Sequence, residues 1–167
     1  MTRKARYFWP FLLLLFVTDC ATKQVAVDTL EPGRTTGSIV ESVVRFTLIH
    51  NPGVAFSFGA HAALGAWTRA TFILAMLALL GVLLRIYWVT TPQARLIPVG
   101  LGLACGGAIG NLVDRFRYAA GVVDFIDVGI GTHRFFVCNV ADIGVSLGGV
   151  VLAVAILIDD GLESFRI

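Results

Sequence analysis

The chain has 167 residues, 57% of them hydrophobic and 14% charged, with a net charge of +2 and a mean hydropathy of +0.84. Soluble domains run near a quarter charged, so the composition excludes an ordinary soluble domain, and so small a net charge gives no electrostatic footing for nucleic acid. The chain reads as an integral membrane protein with one compact domain.

Four apolar segments are candidates to cross a bilayer, which takes about 20 helical residues. The first is Phe8 to about Val27 (8–27), interrupted by Asp19 and Lys23. After it, Glu31-Pro32-Gly33-Arg34 is a turn, and Ser38 to His50 is β-rich: Val44, Phe46 and Leu48 alternate with Arg45 and Thr47, as in a half-buried strand. Asn51-Pro52-Gly53 is a second turn. The second span is 67–89; its uncharged core lies between Arg69 and Arg85, two arginines expected to snorkel to the interfaces. The third is 96–113. Val122–Val128 and Arg134–Val137 then read as two short strands joined through Gly129, Gly131 and Thr132, and the fourth span is 140–158. The predicted fold is membrane α-helical: four transmembrane helices with a small extracytoplasmic β-layer, the outer segments being about 28–66 and 114–139.

Arg3, Lys4 and Arg6 put the N-terminus on the cytoplasmic side, and four spans return the C-terminus to it. Arg85, Arg95 and Arg166 then lie inside. Lys23, Arg34, Arg45, Arg69, Arg115, Arg117 and Arg134 fall outside or at the outer interface, so the charge count alone is not decisive and the N-terminal cluster sets the orientation.

The acids carry the chemistry. Asp142, at the mouth of the last apolar run, and Asp124, in Gly121-Val122-Val123-Asp124-Phe125, are carboxylates at a membrane boundary, where an acid is costly and a functional-site candidate by default. Two acids that converge suggest carboxylate-pair chemistry with one shared proton. Asn139-x-x-Asp142 also has a plain reading as a helix N-cap with an acid in the first turn. Asp127 rivals Asp124; on a strand the two face opposite ways, and the apolar flank of Asp124 favours it. Asp19 and Lys23, four apart, share a helix face, and a structural ion pair outweighs catalysis there. Asn111, Asp114 and Arg115 share another face. Either they form a polar helix end with an intrahelical pair, or Arg115 holds a polar or anionic group with Asn111 as a donor. Asn51-Pro52-Gly53 is usually only a turn, but an inward Asn51 amide suits a peptide backbone. Gly102, Gly106 and Gly110, and Gly144 and Gly148, are four-residue small stripes expected to bring the third and fourth spans together. Cys20, Cys105 and Cys138 read as free thiols, and His50, His61 and His133 show no metal-ligand spacing, so no metal or other cofactor is expected.

Five blocks occur in order: Asp19-x-x-x-Lys23, Asn51-Pro52-Gly53-Val54-Ala55-Phe56-Ser57, Gly107 to Arg115, Gly121 to Phe125, and Asn139-Val140-Ala141-Asp142. With four spans, this set resembles lipoprotein signal peptidase (signal peptidase II). The resemblance implies an aspartyl endopeptidase of the bacterial inner membrane, cleaving before the diacylglyceryl-modified cysteine of a prolipoprotein, with its active site near the outer face and sensitivity to globomycin. It puts the catalytic pair on Asp124 and Asp142, and other functional positions on Asp19, Asn51, Asn111, Arg115 and Asn139, with Lys23, Gly53 and Asp114 in the same blocks. It also implies a segment over the site within 38–67, where Gly53, Gly59 and Gly65 with Phe56, Phe58 and Trp67 read as a gate. The chain departs from the family pattern at Cys20, where Gln is expected, and Cys138, where Phe is expected. Two rival classes are a four-span transporter with a proton relay, which would favour acids in mid-span, and a lipoprotein cut before Cys20, where Asp19 is a poor small-residue site.

Overall fold

The computed structural model describes residues 2–36, 43–53 and 66–158. The expected gate residues 54–65, and the first part of the expected strand, 38–42, lie outside the described residues. The element order is α1 (Arg3–Thr29), β1 (Val44–Asn51), α2 (Ala66–Val89), α3 (Leu96–Arg117), β2 (Val122–Ile130), β3 (His133–Cys138) and α4 (Val140–Ile158). Among the described residues, four helices are long and apolar enough to cross a membrane, as helices must be where the bilayer offers no partner for the backbone. The expected spans and the three short strands are all present, with α1 starting earlier and α3 ending later than the apolar runs alone indicate.

The chain divides into two compact units. The first takes the chain up to Asp19, Ala75–Gly110 and the chain from Val140; the second takes Cys20–Leu74 and Asn111–Asn139.

The first unit is built on small residues. Phe8, Leu12, Leu83, Tyr87, Leu101 and Cys105 form its buried core. The α3 stripe faces α1: a Cβ on Gly102 would sit 2.5 Å from the Phe8 carbonyl oxygen, one on Gly106 2.6 Å from that of Leu12, and one on Gly110 would run into the Asp19 carboxylate. The expectation that this stripe meets α4 is therefore corrected. Helix α4 uses a different α3 face, that of Gly100, Ala104 and Gly107, against Gly148 and Ala141, while Gly144 makes room for Leu15 of α1. Small residues let backbones approach, which replaces hydrophobic drive inside a bilayer.

Helix α1 reaches back to Arg3 because Lys4 is not a snorkelling surface charge. It is buried, and its Nζ donates to the carbonyls of Tyr87 (2.9 Å), Trp88 (3.3 Å) and Thr90 (2.9 Å), 4.8 Å from the Tyr87 ring centroid. A cation on the last carbonyls of α2 satisfies groups that the helix leaves open and suits its dipole.

The second unit holds the antiparallel sheet, order β1-β2-β3. Phe46 pairs with Ile126 and Ile49 with Asp124, so three steps along β1 match two along β2. This bulge bends β1, and below it Asn51 comes opposite Val122. Between α1 and the sheet lies a cavity of about 280 Å³ against Thr22, Val25, Ala26, Phe46 and Phe125.

Candidate active site

Asp124, the third residue of β2, is buried at 1% exposure. Its Oδ1 accepts from the Asn139 amide at 2.6 Å and its Oδ2 from the Asn51 amide at 2.9 Å. Asn51 is itself fixed, because its Oδ1 accepts the Gly53 N–H at 2.8 Å. This is an Asx turn, in which the side chain stands in for a backbone carbonyl. The turn needs two glycines. Gly53 has φ +113°, and a Cβ there would lie 2.6 Å from Cζ of Phe72. Gly121 has φ +114°, and a Cβ there would collide with the Asn51 carbonyl. Side chains other than glycine's rarely adopt such angles.

Asn139 is fully buried. Besides Asp124, its amide reaches Asn111 Oδ1 at 3.1 Å and the Val123 carbonyl at 3.3 Å. Asn111 Oδ1 also accepts from Lys23 Nζ at 2.7 Å. Asn111 Oδ1 thus accepts from two donors. Lys23 pairs with Asp114 at 2.8 Å, with both side chains under a tenth exposed. The Asp114 carboxylate also accepts the Val123 N–H at 3.1 Å. Asp114 thus links the end of α3 to α1 and to β2 beside Asp124, in place of the intrahelical pair that was one of two readings of this helix end. Lys23, Asn111, Asp114, Asn139, Asp124 and Asn51 form one connected polar network within the second unit.

Arg115 is buried and donates to the Pro52 carbonyl at 3.3 Å, with its guanidinium 4.7 Å from the Phe72 ring centroid. Asp127 belongs to another cluster. It pairs with Arg134 at 2.9 Å and accepts from Thr47 at 3.3 Å.

In the first unit, Asp19 is fully buried and its Oδ1 accepts the Ala141 N–H at 2.8 Å. A carboxylate on an open N–H of a helix start is an N-cap in effect, here supplied by α1 to α4. Asp142 lies in the first turn of α4, half-buried. Among the described residues, no three His, Cys, Asp or Glu side chains are grouped to hold a metal ion.

Sequence reasoning missed the supports: Arg69, Phe72 and Gly121 around the turn, and Lys4. For Gly121 a signal existed, a glycine directly ahead of a predicted strand. For Arg69 and Phe72 the only signal was a spacing of three at the start of a span.

The family model of signal peptidase (SPase) II matches residues 11–158. The lipoprotein signal peptidase of Rhodococcus jostii (strain RHA1) is 40% identical over 164 residues, covering 90% of this chain and 75% of the relative. That of Mycobacterium tuberculosis (strain ATCC 25618 / H37Rv) is 38% identical over 165 residues, covering 93% and 73%. A solved bacterial membrane enzyme superposes with a TM-score of 0.72 at 25% identity, covering 89% of this chain and 91% of the other. A second superposes with a TM-score of 0.72 at 23% identity, covering 94% and 91%, which speaks for the fold.

Proposed function

The chain belongs to the signal peptidase II family, and we propose that it is an aspartyl endopeptidase that removes signal peptides from prolipoproteins, cutting before the diacylglyceryl-modified cysteine. Asp124 and Asp142 are the reacting carboxylates in this reading. The observation that carries it is the setting of Asp124: buried, with a neutral amide on each oxygen, one of them from Asn139, three residues ahead of Asp142. Each amide fixes the direction of the oxygen it meets.

The chemistry follows from two acids that share one proton. The ionised member takes a proton from water, and the resulting nucleophile attacks the scissile carbonyl. The protonated member hydrogen-bonds the carbonyl oxygen and then supplies a proton to the leaving amine. Asn51, Asn111, Arg115 and Asn139 hold the frame, Asp19 fixes the start of the helix that carries Asp142, and Lys23 and Asp114 anchor β2. The chain sits in the bacterial inner membrane with both termini cytoplasmic and the site near the outer face, and the substrate's lipid chains stay in the bilayer. Sensitivity to globomycin-type inhibitors belongs to the same reading. No cofactor takes part in this scheme.

The test is cleavage of a lipidated prolipoprotein by the purified chain in detergent, with the product read by mass spectrometry. Asp124→Asn and Asp142→Asn should each lose about two to four orders of magnitude in rate, since Asn keeps the size but cannot act as base or carboxyl donor. Both should still bind globomycin, and the double variant should be little worse than either single. Asp127→Asn should keep substantial activity. A dead Asp127→Asn beside a normal Asp124→Asn would overturn the pairing.

A further inference from the structure

We propose that Arg69 and Phe72, on the first two turns of α2, are positioning residues for Asp124 that act through Arg115 and the Asn51–Gly53 turn; this rests on the reading of Asp124 as a reacting carboxylate. Both belong to the second unit, as do all their partners. A cation in the first turn of a helix opposes that helix's own dipole. Arg69 sits there nonetheless, and its guanidinium explains why: Nε donates to the Arg115 carbonyl at 2.8 Å and Nη2 to the Phe116 carbonyl at 3.1 Å. These are last-turn carbonyls of α3, where a cation is favourable and the acceptors would otherwise be open. Arg69 therefore fixes the backbone of the residue whose side chain matters next.

Phe72 is three residues further on, on the same helix face. One side of its ring takes the Arg115 guanidinium at 4.7 Å from the centroid, a cation–π contact. Its Cζ would be 2.6 Å from a Cβ on Gly53, so the ring edge also rests against the turn. Arg115 closes the loop by donating to the Pro52 carbonyl at 3.3 Å. The ring is wedged between a guanidinium and a turn that the same guanidinium holds. Within that turn the Gly53 N–H holds Asn51 Oδ1 at 2.8 Å, which leaves the Asn51 amide aimed at Asp124 Oδ2 at 2.9 Å. A shift of Phe72 thus passes to Gly53, then to the Asn51 side chain, and so to the carboxylate.

The experiment measures kcat and KM for a lipidated prolipoprotein with the full chain in detergent, together with the 15N-resolved side-chain amide signals of Asn51. Phe72→Leu keeps apolar bulk and removes the π face; Phe72→Tyr keeps the ring. We expect Phe72→Leu to lose about ten- to a hundredfold in kcat, the scale of a 1 Å misplacement, with KM changed less than about twofold, and Phe72→Tyr to recover most of the loss. The Asn51 amide signals should move in Phe72→Leu toward their positions in Asp124→Ala. Arg69→Gln should lower kcat in the same way, and Arg69→Lys should recover only part, because one ammonium cannot fork to two carbonyls as a guanidinium does. Wild-type kcat in Phe72→Leu, or a loss that Tyr does not restore while the Asn51 signals stay fixed, overturns the inference. Loss of turnover in Asp124→Asn with normal turnover in Phe72→Leu overturns it alone, whereas normal turnover in Asp124→Asn overturns the reading of Asp124 and this inference with it.

Discussion

Replacing Lys23 by methionine isolates the buried ion pair that anchors the polar network. Lys23 Nζ and Asp114 Oδ2 are 2.8 Å apart, and their side chains are 4% and 8% exposed. At an effective dielectric of about 20 the attraction is about 6 kcal/mol before desolvation is subtracted. The net value of such a pair is small, but breaking it strands a charge, and that costs about 3–5 kcal/mol. Lys23→Met keeps the aliphatic length and leaves Asp114 with the Val123 N–H; it also takes a donor from Asn111. For a chain of this size about 1 kcal/mol moves Tm by roughly 2–4 °C, so Tm should fall by roughly 6–20 °C in a thermal scan of the detergent-purified protein. Lys23→Met/Asp114→Leu removes both charges and should recover part of that loss. The recovery is incomplete because the Val123 N–H is then unpaired, at about 1–3 kcal/mol. A Tm within about 2 °C of wild type for the single variant, or a double variant as unstable as the two singles added, would show that the pair is not the anchor described.

Arg115→Lys keeps the charge but loses the stack on Phe72 and the planar fork that reaches Pro52; turnover should fall by about tenfold, on the order of 1–2 kcal/mol, with wild-type kinetics counting against a positioning role. Gly110→Ala puts a methyl where the Asp19 carboxylate lies and should cost about 1–3 kcal/mol. Combined with Asp19→Ala it should add little further, and simple additivity in thermal unfolding would refute the contact. Lys4→Met uncovers the three carbonyls at the end of α2 and should cost about 1.5–3 kcal/mol, seen as faster hydrogen exchange at the α2 C-terminus; unchanged exchange there would mean that Lys4 is only a topogenic charge.

The elements were legible because their signals are local. Apolar runs of bilayer length mark α1 to α4, and the alternation Val44, Phe46, Leu48 marks β1. The ends were less so, since Lys4 belongs to α1 by virtue of carbonyls more than eighty residues away. The glycine stripes were visible as stripes, but spacing says only that something comes close. It does not say that Gly106 meets Leu12 of α1 while Gly107 meets Ala141 of α4. The same limit applied to the site. Every polar residue of the second unit's network was singled out from its motif block, yet partners and roles such as Asn111 as acceptor or Asp19 on the Ala141 N–H depend on long-range contacts that helix spacing cannot encode.

What separates the carboxylates around β2 is their partners, not their burial. Asp114, Asp124 and Asp127 are all buried, and a burial argument alone makes each a candidate for chemistry. Asp114 faces an ammonium and a backbone N–H, and Asp127 a guanidinium and a hydroxyl. Such partners tie Asp114 to α1 and β2, and Asp127 to β1 and β3, as struts. The oxygens of Asp124 meet two carboxamides: that of Asn51 is held through its Oδ1 by the Gly53 N–H, and the nitrogen of Asn139 also donates to Asn111 Oδ1. Donors with fixed directions aim the carboxylate, which the proposed proton transfer at a set position requires. The cationic links are then placed one step away, where they fix the amides and strands that fix Asp124. On this logic Asn139→Asp should be worse than Asn139→Ala for turnover, because it sets a second acid against Asp124 where a donor stood. Equal or milder loss in Asn139→Asp, at matched thermal stability, would mean that the amide's direction counts for less than its bulk.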